Sequence, residues 1–87
     1  MMEIYELPCL DHRKSFYGKA NVIVEADGTK ILRSYNTNVC RIDPDGSFHR
    51  MWSGYSATTM RHVDSFRKLN GLQMIGKAGW DKIEMEG

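Results

Sequence analysis

Trp52-Ser-Gly-Tyr-Ser-Ala-Thr-Thr-Met-Arg-His-Val-Asp-Ser-Phe-Arg-Lys-Leu-Asn-Gly71 is the one stretch of this chain that joins a helix start, a helical apolar period and a helix stop. Ser56 is placed to cap the first turn, with Thr58 or Thr59 as alternates one turn later. At about 100° per residue, Met60, Val63, Phe66 and Leu69 gather on one side. Arg61, Asp64, Ser65 and Lys68 fall opposite, with Asp64 and Lys68 spaced for a solvated i,i+4 ion pair. Asn70-Gly71 stops the helix and lets Leu72 fold back on its last turn. The spacing predicts a helix over 57–70.

Upstream, the pattern is extended. Asn21-Val-Ile-Val-Glu-Ala26 is rich in β-branched residues, and Asp27-Gly28 is a strong hairpin signal. A two-residue type I′ turn there sets Ala26 opposite Thr29, Glu25 opposite Lys30, Val24 opposite Ile31 and Ile23 opposite Leu32. The second strand runs from Lys30 to Tyr35 and resumes at Val39–Ile42. Asp43-Pro-Asp-Gly46 then makes a three-residue loop that sets Ile42 opposite Phe48, Arg41 opposite His49 and Cys40 opposite Arg50. These registers conflict. Alternation puts Val24, Ile31 and Tyr35 on one face but Ile42, Phe48 and Trp52 on the other, so a bulge near Asn36-Thr37-Asn38 is expected to flip the phase.

At the N-terminus, Ile4, Tyr5 and Leu7 suit a short edge strand or a docked arm that Pro8 ends, and residues 1–12 read as loosely ordered. Extended structure begins again near Phe16 and Tyr17. After the helix, Met74-Ile75 reads as an apolar plug, and Trp80 and Ile83 share one side of a short helical turn near 80. The expected fold class is α+β: a three- to four-stranded antiparallel meander packed by one main helix, in a single domain over 1–87.

Lys+Arg of 12 against Asp+Glu of 11 gives a net charge of +1, which argues against a dedicated duplex-DNA binder, since phosphate neutralisation supplies much of such affinity. Two cysteines, Cys9 and Cys40, are too few for a disulfide framework. The first residues lack the basic and apolar regions of a signal peptide, and no apolar run reaches the ~20 residues of a membrane span. The expectation is a cytoplasmic protein with free thiols and no membrane contact.

Candidate chemistry is sparse. Ser56, His62 and Asp64 contain the residue types of a hydrolytic triad, but on a helix His62 and Asp64 point roughly 160° apart. Cys9-x-x-His12 has a ligand spacing without the second pair that a zinc site uses, and the hairpin register sends Cys40 and His49 to opposite faces. His62 reads better as a satisfied, half-buried histidine. There are no paired carboxylates and no phosphate loop. No catalytic residue, metal or cofactor is therefore expected, and an enzyme or ligand-binding domain using His62 and Tyr55 is the weakest reading. Single-stranded nucleic acid is a stronger alternative, because Arg33, Arg41 and Arg50, with Lys14 and Lys19, interleave with Phe16, Tyr17, Tyr35, Trp52 and Tyr55. The plain explanation of those aromatics is core, with the cations as its solvated rim. A protein-interaction role rests on the unpaired edge that a small meander leaves for a partner or a second copy.

Four segments carry a resemblance: Arg13-Lys-Ser-Phe-Tyr-Gly-Lys-Ala20; Leu32-x-Ser-Tyr-Asn-Thr37-x-Val39; Trp52-Ser-Gly-Tyr-Ser-Ala-Thr-Thr-x-Arg-His-Val63-x-x-Phe66; and Gly76-Lys77 with Trp80. Together they resemble a group of small uncharacterised proteins of gut-type Firmicutes and their phages and mobile elements. That group has no assigned activity, so the resemblance implies no catalytic residue and favours an accessory protein over a housekeeping enzyme. It directs attention to Tyr55, Ser56, Thr58, Thr59, Arg61 and His62 as the candidate functional surface. The reading that results is a protein of unknown function, a non-enzymatic interaction or accessory module.

Overall fold

The computed structural model describes residues 2–7 and 19–85. Five strands, β1 (Glu3–Glu6), β2 (Ala20–Val24), β3 (Lys30–Ser34), β4 (Thr37–Ile42) and β5 (Phe48–Arg50), precede helices α1 (Ala57–Leu69) and α2 (Gly76–Lys82). The strands form one antiparallel sheet in chain order. The class is α+β as expected, and the fifth strand is the N-terminal segment itself, which pairs with β2 as an edge strand.

The first hairpin departs from the expected register by one residue. Ile23 lies opposite Ile31 and Val22 opposite Leu32, because the connection is a three-residue loop closed by Glu25 and Thr29. A type I′ turn needs positive φ at both central residues. Here only Gly28 adopts it, at 97°, while the Asp27 carboxylate accepts the Thr29 N–H at 2.9 Å. The second hairpin uses the same device. Gly46 sits at φ 91°, Asp45 accepts the Ser47 N–H, and the registers of Ile42, Arg41 and Cys40 are those the sequence predicts.

Between these loops, β3 and β4 are not one interrupted strand but a hairpin turning through Tyr35-Asn36. Its ladder slips between Leu32 and Arg33, which face Cys40 and Asn38 and leave Val39 as the extra residue. The bulge is therefore one residue beyond the Asn36–Asn38 segment, and Val39 and Cys40 both turn inward, fully buried. With the corrected first loop, Val22, Leu32, Cys40 and Ile42 share the face that α1 and α2 cover, packing with Met60, Val63, Phe66 and Trp80. Ile23 and Ile31 move to the opposite face.

Helix α1 starts and ends as its sequence dictates. Ser56 is extended (φ −147°, ψ 151°) and its Oγ accepts the Thr59 N–H at 3.0 Å. At the other end, Gly71 takes φ 79°, and the N–H groups of Leu72 and Gly71 return to the carbonyls of Arg67 and Lys68. Two residues break the expected wheel. Leu69 is exposed, and Asp64 is buried. Instead of meeting solvent, Asp64 Oδ1 accepts the N–H groups of Ile75 (2.8 Å) and Gly76 (3.3 Å), capping an α2 that has no side-chain cap of its own. In the intervening segment Ile75 packs against the core, but Met74 is exposed rather than a plug.

Arg50 is the largest departure from the sequence reading. It points inward from β5, and its five N–H donors meet five carbonyls: Trp52, Ser53, Gly54, Trp80 and Ile83, at 2.8–3.4 Å. The guanidinium also stacks 4.3 Å from the Trp80 ring. Gly54 is a close approach in the loop it holds, since a Cβ there would overlap the Trp52 indole.

Both devices are testable by chemical denaturation. Arg50→Met keeps the stem but strands buried carbonyls, and is expected to lower stability by about 3 kcal/mol or more. Asp64→Ala is expected to cost about 1–2 kcal/mol, with Asp64→Asn recovering part of it because an acceptor oxygen remains.

Candidate functional site

The β3–β4 turn and the loop that leads into α1 lie against each other at one end of the sheet. Arg50 fixes that loop from below. The turn supplies Ser34, Tyr35 and Thr37, and the loop supplies Trp52, Tyr55 and Ser56. Together with Val39 and Thr59 they line an open cleft of about 210 Å³. Three aromatic rings and four aliphatic hydroxyls thus line one concavity with no carboxylate in its lining.

The floor is a buried chain of hydrogen bonds. Ser34 Oγ lies 3.1 Å from Thr59 Oγ1 and 2.8 Å from His62 Nδ1. His62 is 1% exposed, and burial with the nearby Arg61 charge lowers its pKa to about 4. The imidazole is therefore neutral at pH 7, and either direction of proton donation along the chain satisfies the two hydroxyls. Ser34 is itself 2% exposed, so its oxygen serves the floor rather than presenting an attacking group. The Ser56, His62 and Asp64 triad is physically dispersed: Ser56 caps α1, His62 bonds to Ser34 and Asp64 caps α2.

The rim carries the exposed groups. Tyr35 is 49% exposed and holds a left-handed backbone at φ 55°. Lys19 Nζ lies 5.6 Å above its ring, and the His62 ring is 6.1 Å away, tilted by 43°. Across the cleft, Lys77 Nζ stands 5.4 Å from the Tyr55 ring while pairing with Asp81 at 2.8 Å.

The structure sorts the residues singled out from the sequence. Tyr55, Ser56, Thr59 and His62 converge on the cleft, Thr58 is exposed on the first turn of α1, and Arg61 is half-buried beyond it. Of the proposed nucleic-acid set, Arg33 and Tyr35 are exposed at this end. Arg41 is paired with Asp43 at 2.8 Å, and Arg50 is structural. Sequence reasoning missed Ser34, Thr37 and Val39, which reach the cleft only because β3 turns back through Tyr35-Asn36. Cys9, His12, Lys14, Phe16 and Tyr17 lie outside the described residues. Among the described residues, no group of three or more His, Cys, Asp or Glu could hold a metal ion. Burial pushes the Cys40 thiol well above its usual range, which makes it an inert core group.

The fold and cleft define a small α+β domain with an aromatic, hydroxyl-lined end and no assembled catalytic set among the described residues. The chain belongs to a Family of unknown function (DUF8033), whose model matches residues 5–82. No curated protein and no solved structure matches it. No helix among the described residues is long and apolar enough to cross a membrane.

His62 generates a pH prediction. Its pKa is depressed in the folded state, so between about 4 and 6.5 the unfolded chain binds a proton that the folded chain refuses. Stability should hold above pH 7, fall by up to about 3 kcal/mol as pH drops through that window, and level off below it. Denaturant melts across pH check this, and His62→Gln should flatten that part of the profile.

Proposed function

We propose that this protein is a non-enzymatic accessory module that docks an extended strand along the outer edge of β1, with which no described strand pairs. The observation that supports it is the edge itself. All four residues of β1 are exposed, and Ile4 (65%), Tyr5 (42%) and the preceding Met2 (63%) place apolar surface on both sides of it. Leu7 N–H bonds to the Ala20 carbonyl, so by antiparallel alternation the N–H and C=O of Ile4 face away from β2. An outer strand with no described strand beside it is a template for strand addition by a partner or a second copy. Ile4, Ile23 and Ile31 are directly opposed across three strands on the outward face, and an added strand would extend that row. The resemblance of the motif segments to small phage and mobile-element proteins is the ground for assigning an origin there, and a buried free thiol at Cys40 suits a reducing cytoplasm.

Ile4→Pro is the selective test, because it removes the outward N–H while leaving the β2 ladder intact. Wild-type protein should show a mass that rises with concentration in light scattering, or capture a partner in a pull-down. Ile4→Pro should lose either behaviour at nearly unchanged melting temperature. A wild-type protein that stays monomeric and captures nothing that Ile4→Pro does not also capture would sink the reading.

A further inference from the structure

The Tyr35 end of the sheet has a second set of features, which share only Ile4 and Ile23 with the strand-addition row. Tyr35 is a wall between two concavities. On one side is the aromatic cleft, and on the other a groove of about 330 Å³ on the outward sheet face, lined by Ile4, Asn21, Ile23, Arg33, Tyr35 and Asn36. We propose that this end binds single-stranded nucleic acid. One base enters the cleft between Tyr35, Trp52 and Tyr55, and the chain passes Tyr35 so that the next lies in the groove beside Asn21 and Asn36. Lys19 and Arg33 meet the phosphates between them.

Three observations converge on that ligand. The first is size and lining. A cleft of about 210 Å³ is below the ~300–1,000 Å³ of sites that enclose whole metabolites. It suits a single planar ring, which stacks on aromatics and takes hydrogen bonds from hydroxyls. The second is the backbone of Tyr35. A bulky residue at φ 55° is strained where Asn or Gly would not be, and what the chain gains there is an exposed ring beneath Lys19. The third is charge. The loops closing β2–β3 and β4–β5 put Asp27, Asp43 and Asp45 at one end of the sheet, with Glu3 and Glu25 beside them. Among the described residues the Tyr35 end carries the exposed cations Lys19 and Arg33, with Glu6 beside them and Asp81 held by Lys77 across the cleft. Two cations and a shallow, aromatic surface fit a flexible single strand and not a duplex, whose binders gather a larger basic excess.

The test is a titration of the full chain with oligothymidylate and oligouridylate, read by tryptophan fluorescence. Trp80 is buried, so a change reports Trp52 in the cleft. The mononucleotide and a duplex of equal length are the comparison arms. Expected are fluorescence quenching by the single strands, weaker binding of both comparison ligands, and a log–log salt slope near −1.4 that falls by about 0.7 with Lys19→Ala or Arg33→Ala. Tyr35→Asn should lose about tenfold or more in affinity while its melting temperature stays the same or rises, because Asn tolerates the left-handed backbone. Equal binding by Tyr35→Asn, by the mononucleotide or by the duplex would overturn the proposal. So would the absence of quenching at the highest soluble protein concentration.

Discussion

A buried guanidinium joined to five backbone carbonyls is the constraint on which this end of the molecule depends. Leaving β5, the chain runs through 51–56 without helix or strand, and its carbonyls have no ladder to complete. Arg50 gathers those of Trp52, Ser53 and Gly54 and ties them to Trp80 and Ile83 at the end of α2. A fixed fork of five donors is suited to this task, whereas an ammonium with three donors is not. The Trp80 indole N–H adds a further bond to the Gly54 carbonyl at 2.9 Å. The consequence reaches the cleft, because the segment that Arg50 pins carries Trp52 and leads directly to Tyr55 and Ser56.

The second constraint is that α1 docks on the sheet through polar groups as well as apolar ones. Phe66, Val63 and Met60 supply the buried area. The Thr59–Ser34–His62 chain and the Asp64 cap on α2 supply directional bonds. Apolar packing tolerates small rotations of a helix, but hydrogen bonds within about 3 Å do not. These polar residues therefore fix the rotation of α1 over β3 and hold α2 to α1. That is also why α1 reads as a poorer amphipath than it is. His62 and Asp64 are polar letters at buried positions.

Local signals are disclosed by the sequence, and polar groups buried against backbone are not. Helix α1 was legible to within one residue, because its cap, period and Asn70-Gly71 stop are all local signals. The β4–β5 loop was legible for the same reason. The β2–β3 loop shares the Asp-Gly-Thr/Ser ending of its counterpart, in which the Asp carboxylate takes the N–H two residues on, and closes as a three-residue loop instead of the two-residue turn that Asp27-Gly28 suggests. That common ending is the local signal of a three-residue loop, and the register it sets removes most of the parity conflict. The tight turn at Tyr35-Asn36 was hidden because a tyrosine rarely adopts positive φ, and with it were hidden Ser34 and Thr37 as cleft residues. Arg50 and Asp64 were illegible in a stricter sense. Their partners are backbone groups, which every residue carries, so no pairing pattern in the sequence announces them.

The shared loop ending also explains how a nearly neutral chain acquires polarity. Asp27 and Asp45 are required by loop geometry, and the same hydrogen bonds that build the loops hold their carboxyls below the usual range. Asp43 closes the second loop and is occupied by Arg41 and His49. The acidity at that end is thus a by-product of how the hairpins close. Nothing in the geometry of a two-residue turn asks for Lys19 or Arg33 at the other end, and neither is needed to satisfy the buried groups that Arg50, His62 and Asp64 serve. Among the described residues, the exposed cations Lys19 and Arg33 and the exposed Tyr35 ring stand at the end of the sheet opposite these loops. Lys19 and Tyr35 thus stand at the rim of a cleft whose shape is held by the Arg50 fork and by the Ser34–Thr59–His62 hydrogen bonds, and the binding proposed at that end rests on this placement.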